Sequence, residues 1–201
     1  DEMVIFSAHY DHIGTRDSEF IKHSPEKGSP EKGDRIYNGA NDNASGVSGL
    51  IHLLRYFAQQ KNNERTLVFI AFSAEELGLL GSQSAVKKFN ARLVTAMINM
   101  DMIGRPVSKK DDHPFITGAK WTDLQSIMNK QVFQQAPEYG ENYFKADRYV
   151  AENLFKRSDN YWFALQGIPA HTIMATSPSD RYYHSLNDEA GTLDYTLMAT
   201  V

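Results

Sequence analysis

The 201-residue sequence contains no cysteine, no long apolar run and no excess of basic residues. The lack of cysteine excludes disulfide bonds, thiolate-bound iron–sulfur clusters and cysteine-rich zinc fingers. No stretch approaches the roughly 20 apolar residues that a membrane-spanning helix needs. A net charge of −4 argues against general nucleic-acid binding, which requires a basic surface. These absences leave an ordinary globular chain and do not exclude other ligands.

The aromatic content is sufficient for one sizeable hydrophobic core, with 11 Phe, 10 Tyr and 2 Trp. Both ends of the sequence are abrupt. An apolar run starts at Met3 with no turn before it, and residues 193–201 predict a helix that begins and then stops. We therefore predict one domain over residues 1–201 that is trimmed at both ends.

Four short apolar segments predict β-strands, at residues 3–8, 66–73, 93–100 and 170–175. The first two are nearly continuous rather than alternating, which predicts strands buried on both faces of a parallel sheet.

Helical patterns separate these strands, at residues 44–60, 79–89, 121–134 and 158–165. The apolar residues of the first helix follow the spacing of one buried face; they are Val47, Leu50, Ile51, Leu54, Phe57 and Ala58. Those of the third are Leu124, Ile127, Met128 and Phe133. Good N-cap residues precede two of the helices: Asn41, Asp42 and Asn43 for the first, and Ser158 or Asp159 for the last. The alternation predicts an α/β fold, a three-layer sandwich with a mostly parallel, twisted central sheet and helices on both faces.

Two segments fit neither pattern. Residues 15–37 are polar and contain the pentapeptide SPEKG twice, at 24–28 and 29–33, which predicts a surface loop without chemistry. Residues 135–157 are rich in aromatic side chains, which indicates either a cover of the core or a pocket wall.

Metal-binding side chains follow the predicted strands. In an open α/β sheet, ligands bind beyond the carboxyl ends of the strands. Several segments deliver carboxylates or imidazoles there: His9, Asp42, Glu75, Glu76, Asp101 and His184. So many carboxylates in one place repel one another unless cations compensate them. Because histidines accompany them, zinc is favoured over magnesium or calcium.

Five of these residues suit two ions that share one bridging carboxylate: His9, Asp42, Glu76, Asp101 and His184. Glu75 is then left beside the metals, where it can act as a general base. Asp11 lies two residues after His9, so an extended backbone places it on the same face. There it could accept the second imidazole N–H of His9 and fix its tautomer.

The order and spacing of five segments resemble those of the M28 zinc peptidases, the co-catalytic two-zinc aminopeptidases. The segments are SAHYDH at 7–12, NGANDNASG at 38–46, FSAEELG at 72–78, NMDMIG at 99–104 and YHSLND at 183–188. The resemblance extends from residue 3 to residue 194.

The resemblance implies roles residue by residue. His9 and Asp101 would hold one zinc, Glu76 and His184 the other, and Asp42 would bridge the two. Glu75 would be the catalytic general base, with Asp11 behind His9. The Asp42–Asn43 bond would be a cis peptide. Asp159 matches a further recurrent acid of the family, although a plain helix N-cap explains it equally well.

The implied function is that of a zinc-dependent aminopeptidase, a hydrolase that releases N-terminal residues from peptides by metal-activated water. Its cofactors would be two Zn²⁺ ions, with Mn²⁺ or Co²⁺ as possible substitutes. Its partners would be peptides with a free N-terminus, with no nucleic acid and no membrane segment. The family is commonly exported, which predicts a periplasmic or extracellular location.

Three alternatives remain open at this stage. A glutaminyl cyclase-like enzyme would work with a single zinc. A non-catalytic receptor or scaffold relative would show gaps among the site residues, and the sequence has none. A carboxypeptidase-type enzyme would need a basic residue for the substrate's C-terminal carboxylate; the candidates are Arg105, Arg148, Arg157 and Arg181. The pocket walls are expected from residues 105–120, 135–157 and 176–183.

Overall fold

A computed structural model describes residues 2–17, 34–106, 108 and 112–201 of the chain, and these residues form one six-stranded sheet. The strands are β1 (Met3–His9), β2 (Thr66–Phe72), β3 (Val94–Met100), β4 (Phe115–Ile116), β5 (Lys145–Ala146) and β6 (Ala170–Met174). Their spatial order is β2-β1-β3-β6-β4-β5. Every neighbouring pair is parallel except β4 and β6. The sheet is therefore mostly parallel, as predicted.

Within the described residues, five α-helices connect or follow the strands: α1 (Gly46–Gln60), α2 (Leu80–Val86), α3 (Leu124–Gln135), α4 (Asn160–Ala164) and α5 (Tyr195–Met198). A π-type turn, Ala40–Ser45, leads into α1. Short 3-10 turns lie at Ala91–Leu93, Ala119–Trp121, Pro137–Tyr139, Val150–Glu152, Leu154–Lys156 and Ala190–Thr192. The described helices are all too short or too polar to cross a bilayer.

Helices cover both faces of the sheet, because neighbouring residues of a strand point to opposite sides. Ile5 of β1 packs in one apolar cluster with Val86 of α2 and Phe163 of α4. Ala8 of the same strand belongs to a second cluster with Leu50 of α1, against which Met128 of α3 packs. The α/β sandwich predicted from the alternation of strands and helices is confirmed.

The sheet differs from the prediction at its margins. β2 lies at one end of the strand order, and its residues up to Ala71 are half-buried or exposed, so the expected burial on both faces is wrong for this strand. β4 and β5 have two residues each and were not predicted, because so short a segment shows no periodicity.

The predicted buried faces of two helices are partly wrong. In α1, Leu50 is buried but Ile51 and Leu54 are exposed. In α3, Ile127 and Phe133 are exposed, while the polar Asn129 is buried. Asn129 is satisfied there because its amide binds the backbone N–H and C=O of Phe144. Apolar spacing alone thus overstates the width of each face that meets the sheet.

The predictions for the two irregular segments, residues 15–37 and 135–157, are tested to different extents. Most of the polar segment, residues 18–33 with both pentapeptides, lies outside the described residues, so the loop prediction stays untested there. Next to it, Thr15 and Ile36 form an antiparallel bridge. In the aromatic segment, Tyr143 and Phe144 are buried in the core beside Ile116. This segment is therefore core cover over that part of its length.

Candidate metal centre

The predicted site residues lie at one edge of the sheet. His9 is the last residue of β1, Asp101 directly follows β3, and Glu75 and Glu76 come shortly after β2. His184 lies in the loop after β6. Because β1, β2, β3 and β6 are parallel, their carboxyl ends meet at this edge. Local backbone turns aim the side chains: Ala74, Met102 and His184 all adopt positive φ, which is uncommon outside glycine.

Asp42 lies between the two histidines. Its Oδ1 is 3.3 Å from Nε2 of His9, and its Oδ2 is 3.3 Å from Nε2 of His184. The carboxylate is buried, which raises the pKa of Asp42, but the neighbouring imidazoles of His184 and His9 outweigh burial and hold that pKa below its ordinary range. One carboxylate thus offers one oxygen to each side of the centre.

His9 and Asp101 form the first side of the centre. Oδ1 of Asp101 is 3.6 Å from Nε2 of His9, while Oδ2 of Asp101 accepts a hydrogen bond of 2.7 Å from the hydroxyl of Ser158. The predicted capping role of Ser158 is therefore wrong, since its hydroxyl holds Asp101 and in turn accepts from the amide of Asn99. Asp159 occupies the N-cap position of α4 but makes no capping hydrogen bond.

Glu76 and His184 form the second side. Oε2 of Glu76 is 3.1 Å from Nε2 of His184. Burial lowers the pKa of His184, but Asp42 and Glu76 outweigh it and raise that pKa to about 9. A neighbour absent from the predicted ligand set also lies here: Nδ1 of His12 is 2.9 Å from Oε1 of Glu76. Among the described residues, potential ligand atoms of His12, Asp42 and Glu76 lie within 4.8 Å of one another.

The buried atoms of the centre fit metal ions. Nε2 of His9, Nε2 of His184 and Oδ1 of Asp101 are buried without a hydrogen-bond partner among the described residues. Buried polar atoms normally have partners, and histidine nitrogens and carboxylate oxygens are zinc ligands. Burial lowers the pKa of His9, yet Asp101 and Asp42 together raise it well above its ordinary value. The cluster therefore attracts positive charge.

Glu75 lies on the same side of the centre as His9 and Asp101. One potential ligand atom from each of these three residues lies within 4.8 Å of the other two. Burial is the main reason that the pKa of Glu75 is raised well above its ordinary value, and the carboxylates of Asp101, Asp42 and Glu76 add to it. A raised pKa makes a carboxylate better suited to take and return a proton.

Asp11 does not act on His9 as predicted. Its carboxylate Oδ1 is 3.8 Å from Nδ1 of His9, beyond hydrogen-bond distance. The backbone carbonyl oxygen of Asp11 accepts from that nitrogen instead, at 3.1 Å. The carboxylate accepts the backbone N–H groups of Glu75 and Glu76, each at 3.2 Å. Asp11 therefore orients His9 through its backbone and holds the Glu75–Glu76 turn through its side chain.

The turn before α1 is held by several contacts. One of the predicted capping residues, Asn43, accepts the backbone N–H of Gly46, the first residue of α1, through its side-chain oxygen at 3.1 Å. The Asp42–Asn43 peptide bond is cis, as the resemblance implied. The carboxylate of Asp188 accepts the backbone N–H groups of Asn41 and Asp42. Asn43 accepts the N–H of Met102 through its side-chain oxygen and so ties the turn to the end of β3.

The pairing of Asp188 with Arg105 was not predicted, because Arg105 was considered only as a possible binder of a substrate carboxylate. Both are buried, and Arg105 also binds Asp180. The only sequence signal for Asp188 was its place in the YHSLND segment. This pairing also removes Arg105 from the arginines available to a substrate carboxylate.

A cleft opens beside Glu75 and Asp101. Its apolar lining comes from Met102, Leu154, Met174, Pro178 and Tyr183, with Arg157 at the same cleft. Leu154 and Tyr183 belong to the predicted walls. Met102 and Met174 were missed, because apolar residues at or beside strands indicate core. The Tyr183 ring stacks on His184 with 3.8 Å between ring centroids.

Known proteins share this sequence pattern and fold. A probable leucine aminopeptidase of Arthroderma benhamiae is 28% identical over 204 residues, which is 97% of this chain and 50% of that protein. A probable zinc metalloprotease of Pyrenophora tritici-repentis is 47% identical over 76 residues, which is 37% of this chain and 17% of that protein. The chain thus spans half or less of the length of these curated relatives.

Two solved structures share the fold. Legionella pneumophila LapA aminopeptidase superposes with a TM-score of 0.74 at 24% identity, covering 98% of this chain and 47% of that one. Porphyromonas gingivalis glutaminyl cyclase does so with a TM-score of 0.67 at 21% identity, covering 98% of this chain and 68% of that one. The model of the family described as Peptidase family M28 matches residues 1–201. Because this match extends over the whole chain, the chain belongs to peptidase family M28.

Proposed function

We propose that this chain carries the catalytic centre of a two-zinc aminopeptidase, which removes N-terminal residues from peptides. The observation that supports it best is the placement of Asp42, whose two oxygens each lie 3.3 Å from a different histidine nitrogen. A carboxylate shared in this way suits two ions rather than one. The leucine aminopeptidase and zinc metalloprotease names of the relatives agree with this chemistry.

His9 and Asp101 would hold one zinc, Glu76 and His184 the other, and Asp42 would bridge them. Zinc in such a centre acts as a Lewis acid that polarises the peptide carbonyl and lowers the pKa of water. The neighbouring carboxylates raise the pKa values of His9 and His184, so protons would compete with metal ions for the same nitrogens.

Glu75 is the proton carrier in this proposal. It would take the proton from the attacking water and deliver it to the amine that leaves when the peptide bond breaks. The hydrogen bonds from the backbone of Glu75 and Glu76 to Asp11 fix the turn that aims it. The protein thereby holds the base beside the centre without using it as a ligand.

The cleft suggests which substrates fit. The acidic centre attracts a free α-amine, which would select the N-terminal residue of a peptide. Met102, Leu154 and Met174 present an apolar wall next to Glu75 and Asp101. We infer a preference for apolar N-terminal side chains, as the leucine aminopeptidase names of several relatives suggest.

The test combines metal analysis with a panel of aminoacyl nitroanilides. We expect about two zinc ions per chain, faster hydrolysis of leucyl than of glutamyl or lysyl substrates, and loss of activity on chelation. E75Q should retain both ions and lose about 10²–10⁴-fold in kcat, which is the usual contribution of a general base. The matched control is E64Q, which changes an exposed glutamate on the loop before β2.

Three results would contradict the proposal. An E75Q variant as fast as the parent would remove Glu75 from the base role. About one zinc per chain, with no release of free amino acids, would favour a glutaminyl cyclase instead. Faster cleavage of N-blocked than of C-blocked peptides would indicate a carboxypeptidase, for which Arg157 at the cleft is a candidate cation.

A further inference from the structure

His12 lies at the metal centre but outside the five residues that would hold the ions. Its side chain is only 9% exposed. Its ring meets the ring of His184 edge to face, with 5.6 Å between centroids. A histidine buried at the second side of the centre calls for a role.

The two oxygens of Glu76 contact different histidines. Oε1 lies 2.9 Å from Nδ1 of His12, while Oε2 lies 3.1 Å from Nε2 of His184. An ionised carboxylate can only accept hydrogen bonds, so Nδ1 of His12 must carry the proton. This assignment follows from the partners rather than from a visible hydrogen.

The surroundings hold the His12 ring at this oxygen. Gly39 adopts φ +62°, and a Cβ there would come within 2.7 Å of Cγ of His12 and 2.4 Å of the backbone oxygen of Asp42. The missing side chain of Gly39 thus provides the space that the ring occupies. Nε2 of His12 is buried with no hydrogen-bond partner among the described residues, so Glu76 is the polar contact that orients the ring.

We propose that His12 is a positioning residue for the second zinc: it donates Nδ1–H to Oε1 of Glu76 and so keeps Oε2 directed at the ion. This inference rests on the proposed function, because it presupposes an ion at Glu76 and His184. Hydrogen bonds to ligating carboxylates fix ligand orientation, and their loss commonly weakens metal affinity by about 10–100-fold.

The test measures metal affinity rather than catalysis. Metal-free H12A, H12N and parent protein are titrated with Co²⁺, followed by its visible absorption, and with Zn²⁺ in competition with a chelator. H12A should bind one of the two ions about 10–100-fold more weakly and leave the other unchanged. H12N should stay within a few-fold of the parent, because the amide nitrogen of Asn takes the place of Nδ1. The matched control, H52A, changes an exposed histidine of α1 and should bind both ions like the parent.

Two results would overturn the role of His12. Equal affinities for H12A and the parent would show that Glu76 needs no such partner. Equal weakening in H12A and H12N would show that the imidazole itself is required, either as a ligand or as packing. A parent that binds a single ion would overturn only the two-zinc proposal, because loss of that ion in H12A with rescue in H12N would still support His12.

Discussion

At the residue scale, Asp159 is a fully buried carboxyl group at the start of α4. Neither of its oxygens has a hydrogen-bond partner among the described residues, because the nearby hydroxyl of Ser82 donates to the carbonyl of Leu79. Burial is the main reason that the pKa of Asp159 rises to about 7, and the carboxylates of Asp101 and Asp11 contribute. At neutral pH this carboxyl group is therefore only partly ionised, because burial opposes its charge.

The substitution D159N tests this cost. Since the folded pKa is raised, the stability that Asp159 contributes is fully present below its unfolded pKa and is lost as the pH rises through about 7. In metal-free protein, D159N should therefore gain stability over the parent as the pH rises from 5 to 8, by a few kcal/mol at most, at about 1.4 kcal/mol for each pKa unit. Urea denaturation at each pH measures the difference. A difference that stays constant with pH would show that Asp159 titrates normally.

At the element scale, Arg105 connects three segments around the centre. It follows β3, and its guanidinium binds Asp180 and Asp188 in the loops after β6. Asp188 in turn holds the backbone of Asn41 and Asp42 before α1. The position of Asp42 thus depends on an ion pair that contains none of the five proposed metal ligands.

Replacing Arg105 should destabilise the fold far more than replacing its exposed neighbour. R105M leaves Asp188 buried without its cation, which commonly costs about 3–5 kcal/mol. R181M is the control, because both guanidinium groups stack on Tyr182, at 4.8 and 4.5 Å from the ring centroid, but only Arg105 binds Asp188. R181M should lie within about 0.5 kcal/mol of the parent. Equal losses in urea denaturation would assign the effect to Tyr182 instead.

The same elements show what the sequence could and could not predict. The four long strands were predicted because each is a run of several apolar residues, and the helices between them because their apolar residues recur at helical spacing. β4 and β5 were not, since pairing with neighbours alone defines two-residue strands. Ile51 and Leu54 were expected to be buried, but their exposure depends on how α1 lies across the sheet, which the spacing does not contain.

The sequence predicted which residues meet at the centre, but it did not predict the contacts that hold these residues in place. The ends of parallel strands meet at one edge, so His9 and Asp101 were expected together. Asp11 was expected to bind His9 through its carboxylate, whereas that carboxylate binds the backbone of Glu75 and Glu76. The contact of His12 with Glu76 joins residues 64 positions apart. Such contacts depend on tertiary packing, which no local pattern shows.

At the scale of the whole molecule, the metal centre concentrates negative charge from several elements at one edge of the sheet. The pKa values of His9 and Glu75 are raised, and that of His184 is raised to about 9. Each of these groups stabilises the metal-free fold below its unfolded pKa and ceases to do so as the pH rises through the folded value. In the metal-free chain, bound protons therefore neutralise part of the negative charge that metal ions would otherwise neutralise.

The stabilisation that zinc confers should therefore increase with pH. Zinc binds neutral histidine and ionised carboxylate, so it must displace protons from His9 and His184. Below the folded pKa of His184, about 9, the cost of that displacement falls as the pH rises, so it is smaller at pH 8 than at pH 6. At pH 8, zinc at about 100 times its Kd should add about 2.7 kcal/mol, equivalent to roughly 5–10 °C in Tm for a chain of this size. Calorimetry with zinc or with chelator at both pH values measures the two shifts. H9A, which lacks a nitrogen of the first side, should show a smaller shift at pH 8. Equal shifts at pH 6 and pH 8 would contradict the idea that protons and metal ions compete for this centre.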